Sequence, residues 1–176
     1  MAERPDYFAL LGVEPRFRQN RAELDEAWRR VQAAVHPDRY AAGSPQEKRV
    51  AMQWASEANE AYRTLKRPLS RARYLIEQAG VDLQVETNTA MAPTFLMQQM
   101  EWREALAEAR AESDQQALLS LRQDLLDEKR ACEQRAGHLL DELKQPAQAA
   151  AAVREWMFIE KFSDEVEASL DHLVGI

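Results

Sequence analysis

Apolar residues recur three and four positions apart over most of this chain, the period of an amphipathic α-helix, and short polar stretches rich in capping residues separate the runs. Asp6 is placed to cap a short helix over Tyr7–Leu11 that ends at Gly12, and a polar connection follows from Glu14 to Gln19. Asn20 with Glu23 resembles a capping box, and Leu24, Ala27, Trp28, Val31 and Val35 then repeat at helical spacing. Arg29 and Arg30 fall away from that stripe. The helix has to stop near His36, because Pro37 disfavours helical geometry in the residue before it. After a loop over 38–43, Ser44-Pro45-Gln46-Glu47 offers a cap, a proline at the first helical position and a glutamate at the third. The helix that begins there carries Val50, Trp54, Ala58, Ala61, Tyr62 and Leu65 and ends before Pro68. A shorter amphipathic segment, 69–78, ends at Gly80.

Residues 81–92 show no helical period and read as a linker closed by Pro93. Three helical segments follow, over about 93–112, 114–144 and 146–174, with breaks at Ser113/Asp114 and Gln145/Pro146. Joints this short make neighbouring helices antiparallel. The middle helix has the stripe Leu118, Leu121, Leu125, Cys132, Leu139, Leu143, and the last has Trp156, Ile159, Val166, Leu170, Leu173.

Composition agrees with an all-α chain: 5 Gly and 7 Pro in 176 residues leave few breakers, and 45% hydrophobic with 30% charged residues suffices for packed cores. The net charge of −7 argues against nucleic acid as the main ligand. It is unevenly spread, with 14 basic and 11 acidic residues over 1–79 but 9 and 19 over 80–176, which suggests two halves with two tasks. No apolar run approaches the ~18 residues of a membrane span, and 1–8 has no apolar core of a signal peptide. A single cysteine, Cys132, with three scattered histidines makes neither an internal disulfide nor a four-ligand zinc site, so no metal or cofactor is expected and a reducing cytoplasm fits.

Two constellations carry candidate chemistry. The first is His36-Pro37-Asp38. Pro37 stiffens a hairpin tip that displays a donor and an acceptor beside Arg29, Arg30 and Arg39, which suits docking to an acidic partner. As a catalytic site it lacks a neighbouring nucleophile; the plainer reading makes His36 a helix C-cap and Asp38 a turn former. The second is the helix from Pro93. At 100° per residue with Leu96 at 0°, Met100 falls near ~40°, Glu104 near ~80°, Met97 near ~100°, Glu108 near ~120° and Glu101 near ~140°, while Phe95, Trp102, Leu106 and Ala109 gather near ~220–280°. One face is a core stripe; the other mixes flexible apolar side chains with carboxylates and suits a basic, partly apolar partner. Here too a plainer reading packs Leu96, Met97 and Met100 into the bundle.

The aromatic-rich first helix, the basic second helix, the His36-Pro37-Asp38 loop and Asn59-Glu60-Ala61-Tyr62-Arg63-Thr64-Leu65 together resemble a J-domain, the module that stimulates ATP hydrolysis by 70-kDa-class chaperones. With Pro68-Leu69-Ser70-Arg71-Ala72-Arg73-Tyr74-Leu75 and Phe95-Leu96-Met97-Gln98-Gln99-Met100-Glu101-Trp102-Arg103-Glu104-Ala105-Leu106, essentially the whole chain resembles the HscB family of iron–sulfur co-chaperones. The resemblance implies an L-shaped, all-α arrangement: a J-domain hairpin over 1–80, a linker over 81–92 and a scaffold-binding three-helix domain over 93–176. It implies that His36, Pro37, Asp38, Arg29, Arg30 and Arg39 contact the ATPase of the chaperone HscA, and that Leu96, Met97, Met100, Glu101, Glu104, Glu108 and Phe158 contact the scaffold IscU. Arg39 stands where the family often has Lys, and Met100 where Leu is common. The family's longer eukaryotic members add a cysteine-rich metal site, so the resemblance is to the metal-free bacterial type.

The chain is then expected to be a co-chaperone and no enzyme, without nucleic-acid or membrane partners. A general J-protein serving other clients is the alternative, although no Gly/Phe-rich linker or Cys-x-x-Cys repeat accompanies the J-like region. An enzyme built on His138, His172 or Cys132 is disfavoured, because the histidines fall near helix ends and the cysteine on an apolar stripe. Leu24, Trp28, Val31, Trp54 and Tyr62 are expected to be core.

Overall fold

The structure is a computed structural model that describes residues 5–83 and 91–175. Among the described residues it contains seven α-helices and no strand. The chain divides into two compact units, Met1–Leu75 and Ile76–Ile176, and the division falls inside the fourth helix. Of the linker expected over 81–92, residues 84–90 lie outside the described residues.

In the first unit the helices are α1 (Tyr7–Leu11), α2 (Arg21–Val35), α3 (Pro45–Leu65) and most of α4 (Pro68–Gln78). Local chemistry sets their ends. Asp6 accepts from the Phe8 N–H, and Gly12 closes α1 in the left-handed region at φ 68°, where a side chain is strained. Asn20 accepts from the N–H groups of Ala22 and Glu23. Ser44 and Glu47 form a complete capping box with Pro45 at the first position of α3. The loop expected after Pro37 is instead a 3-10 turn, Pro37–Tyr40, which fits because the proline's fixed φ is already helical.

The core of this unit is Phe8, Leu11, Leu24, Ala27, Ala61 and Leu65, with Trp28, Val31 and Tyr62 half-buried at its edge. Trp28 stacks on Tyr62 at 4.9 Å and donates its indole N–H to Asn59. Trp54 corrects the expectation: it is 48% exposed, and Val50 is exposed as well. The connection read as polar also conceals a core residue, Phe17. Above it lies Arg71, buried, with its guanidinium 5.2 Å from the Phe17 ring, donating to the Phe17 carbonyl at 2.5 Å and the Leu65 carbonyl at 2.6 Å. One cation thus ties α4, the end of α3 and the α1–α2 connection together.

The second unit contains α5 (Pro93–Glu112), α6 (Gln115–Gly137) and α7 (Pro146–Val174). Ser113 takes the left-handed conformation at φ 53°, and Asp114 caps α6 by accepting from Ala117. The continuous helix expected to 144 is α-helical to Gly137 and then widens into a π turn, His138–Glu142, with Leu143 N–H bonded to His138 O. Leu118, Leu121, Leu125 and Cys132 are buried as the stripe implies, and so are Trp156, Ile159, Val166 and Leu170. Leu143 and Leu173 are not: each sits at a helix end, past the neighbouring helices' cover.

Two outcomes follow for the first unit. Arg71→Met should lower stability by about 2–3 kcal/mol, since it strands two carbonyl acceptors bonded to a charge; urea unfolding followed by circular dichroism measures it. Asp25 accepts from the Tyr62 hydroxyl at 2.5 Å and from Arg21 at 2.8 Å, and these bonds hold its carboxyl below the usual carboxylate range. Its contribution is therefore present at neutral pH and is lost as pH falls through that lowered value. Tyr62→Phe should move the Asp25 titration upward in an NMR pH series.

Candidate functional site

The chain presents two surfaces, one in each unit. In the first, His36 both caps α2 and opens the 3-10 turn. Its Nδ1 accepts from the Asp38 N–H at 3.3 Å, so the neutral ring carries its proton on Nε2, away from the turn. The Asp38 carboxylate lies 3.5 Å from the same Nδ1. Arg39 N–H returns to His36 O at 3.0 Å, which closes the turn. The plainer reading of His36 as a cap and Asp38 as a turn former therefore describes the backbone correctly, yet both side chains stay exposed. Arg39 is exposed on the turn, and Arg29 and Arg30 are exposed on α2 about two helical turns earlier.

Gly43 fits closely behind this turn. A Cβ there would lie 2.7 Å from Glu47 Oε2, the oxygen that accepts from Ser44 N–H, and 3.2 Å from Tyr40 O. A side chain at that point would push the capping carboxylate out of place.

In the second unit α5 separates its two faces. Phe95, Trp102, Leu106 and Ala109 are buried. Leu96, Met97 and Met100 are 41%, 63% and 71% exposed, so they do not pack into the bundle. Glu101, Glu104 and Glu108 are exposed on the same side. Phe158 of α7 is half-buried. It stacks on Phe162 (5.8 Å, 10°) and meets Phe95 edge-on (5.8 Å, 89°), while Phe162 stacks on Trp102 at 6.3 Å. Four rings thus join α5 to α7 with the exposed patch beginning at Leu96, next to Phe95.

Arg103 is a feature the sequence reading passed over. Its guanidinium lies 5.7 Å from the Phe158 ring and 5.6 Å from Phe162, with Glu165 at 3.9 Å. Its helical angle, near ~340° on the scale above, places it between the apolar patch and the core stripe, and that was the available signal. The remaining candidates are structural. His138 caps the end of α6 and pairs with Glu142 at 2.7 Å, and His172 lies in the last turn of α7. Cys132 is fully buried, and burial pushes its thiol pKa up.

Neither surface has the arrangement of a bond-making site; both suit docking. No helix among the described residues is long and apolar enough to cross a membrane.

Residues 91–167 match the family described as the HSCB C-terminal oligomerisation domain. The Co-chaperone protein HscB homolog of Bordetella pertussis is 54% identical over 164 residues, 93% of this chain and 95% of that one. That of Burkholderia multivorans is 52% identical over 167 residues, 95% of each chain. Among solved structures, chaperone HscB from Vibrio cholerae has a TM-score of 0.80 at 34% identity, covering 96% of this chain and 99% of that one. Human co-chaperone protein HscB has a TM-score of 0.83 at 26% identity, covering 93% and 81%.

The two faces of α5 should differ in a stability measurement. Replacing Leu96, Met97 and Met100 together by Ser should leave the thermal midpoint within a few degrees of wild type, whereas Trp102→Ala should cost about 3–5 kcal/mol.

Proposed function

We propose that this chain, which belongs to the HscB family and is a co-chaperone of iron–sulfur cluster biogenesis, joins two partners through the two surfaces described above. Over a J-domain of residues 1–80, the His36-Pro37-Asp38 turn with Arg29, Arg30 and Arg39 engages the ATPase of an HscA-type 70-kDa-class chaperone and stimulates ATP hydrolysis. Over residues 93–176, beyond a linker of 81–92, Leu96, Met97, Met100, Glu101, Glu104, Glu108 and Phe158 bind an IscU-type scaffold. Both events belong to a reducing cytoplasm. The chain is not an enzyme: the bond that breaks is the partner's ATP.

The observation that carries this reading is the exposure of Leu96, Met97 and Met100 on a helix whose other face is sealed. Keeping three large apolar side chains in water is unfavourable by about 25 cal/mol per Å² of apolar surface, so a partner that covers them gains that much. Methionine adapts its shape to the partner, and the three carboxylates select a basic rim and repel an acidic one. At the other end, the turn is rigid before contact: Pro37, the backbone bond to His36 Nδ1 and the capping box of α3 hold it, so little ordering entropy is lost on docking. The sign of the charge separates the two tasks, since a basic hairpin and an acidic bundle do not compete for one partner.

Two substitutions test the two halves independently. His36→Gln should abolish stimulation of the partner ATPase and leave scaffold affinity unchanged in isothermal titration. The triple Ser variant of Leu96, Met97 and Met100 should weaken scaffold binding at least about a hundredfold and leave basal stimulation of the ATPase intact. A triple variant that still captured the scaffold would point instead to a general J-protein serving other clients.

A further inference from the structure

We propose that the groove between the end of α2 and the first turns of α3 is an apolar socket for an aliphatic segment of the same 70-kDa-class chaperone that the His36-Pro37-Asp38 turn addresses; this rests on the reading of that turn given above. The groove has a volume of about 530 Å³ and is lined chiefly by Ala34, Val35, Tyr40, Val50, Ala51 and Trp54. It exists because the hairpin is unequal. α2 stops at Val35 under the constraint of Pro37, whereas α3 begins as early as Pro45 and is 21 residues long against 15. Only small side chains, Ala34 and Ala51, meet where the shorter helix gives out, and Val50 and Trp54 are left without cover, each nearly half exposed.

The chemistry of the lining selects the occupant. Two of the polar groups along it are engaged within the chain, the Tyr40 hydroxyl donating to Ala34 O at 3.4 Å and the Glu47 carboxylate accepting from Ser44 N–H at 2.8 Å, and the Gln46 amide stands at its rim. The rest of the lining is methyl groups and the indole of Trp54, a surface that rewards aliphatic contact more than charge. Sequence continuity selects the partner. Val35 precedes His36 directly and Tyr40 follows Arg39 directly, and both line the groove. A protein that grips His36-Pro37-Asp38 therefore spans the groove's rim, and its adjoining segment is the one in reach. In this arrangement the turn supplies orientation and the signal to hydrolyse, while Trp54 and Val50 supply affinity, in the manner of a buried aromatic anchor.

The test is a titration of the partner's steady-state ATPase with the full-length chain. Trp54→Ala and Val50→Asp should each raise the concentration for half-maximal stimulation at least about tenfold, with the rate at saturation near wild type, whereas His36→Gln should lose stimulation at every concentration. Curves for both groove variants that superimpose on wild type would overturn the socket and leave the turn intact. A flat wild-type curve would overturn the reading of the turn and the socket with it. Because a groove variant can fail to fold, wild-type chain labelled with 5-fluorotryptophan gives a second readout: the Trp54 fluorine resonance, assigned by its loss in Trp54→Phe, should shift when the chaperone is added, and an unmoved resonance would refute the contact. Sedimentation covers the other occupant. A wild-type dimer that Trp54→Ala converts to monomer would assign the groove to a second copy of the chain and overturn the proposal.

Discussion

Burial of Phe95 and Trp102 against the aromatic rings of α7, with Leu106 buried on the same face, fixes the rotation of α5, and what the C-terminal unit can present depends on that rotation. A helix has one angular degree of freedom about its axis. Once the rings at ~220–280° are locked inward, the residues at ~0–140° have no choice but to face water. The exposed face of α5 is thus the complement of the core. Arg103, wedged over Phe158 and Phe162 and bridging to Glu165, resists rotation in either direction. The same logic explains why Phe158 is only half-buried: it ends the ring series at the edge where the exposed face begins.

The N-terminal unit obeys a different constraint, a chain stop. Pro37 ends α2 and at the same time starts the 3-10 turn, so the residue before it is forced to be a cap and is displayed at the tip. The capping box of α3 then sets the far side of the turn, and Gly43 allows the chain to pass close to Glu47 on the way. Position in the hairpin, not burial, is what distinguishes His36.

Most helix boundaries were legible in the sequence because they rest on local chemistry. Asp6, Asn20, Ser44-Pro45, Pro93, Asp114 and Pro146 each satisfy or tolerate the free N–H groups of a first turn, and the structure places helix starts there. The split of α5 into two faces was legible for the same kind of reason, since periodicity is a property of one helix. What periodicity does not contain is where the opposing helix ends. Val50 and Trp54 have the right spacing for a core stripe, but the end of α2 that faces them offers the small Ala34 and then stops at Val35; Leu143 and Leu173 are exposed at helix ends. Phe17 escaped notice for the opposite reason, because a lone aromatic in a polar connection has no period, and the Arg71 that packs on it lies 54 positions away. The π turn after Gly137 left no recognisable trace beyond a glycine in a helical run.

One quiet feature bears on the cargo. The chain's single sulfhydryl, Cys132, lies on the inward stripe of α6 with no accessible surface, and burial keeps it protonated at neutral pH. Iron and its sulfide-bridged clusters are captured by ionised, reachable thiolates. A co-chaperone of cluster biogenesis that hides its own thiol in this way offers iron no sulfur ligand of its own, so its single sulfhydryl stays outside the chemistry of the cluster.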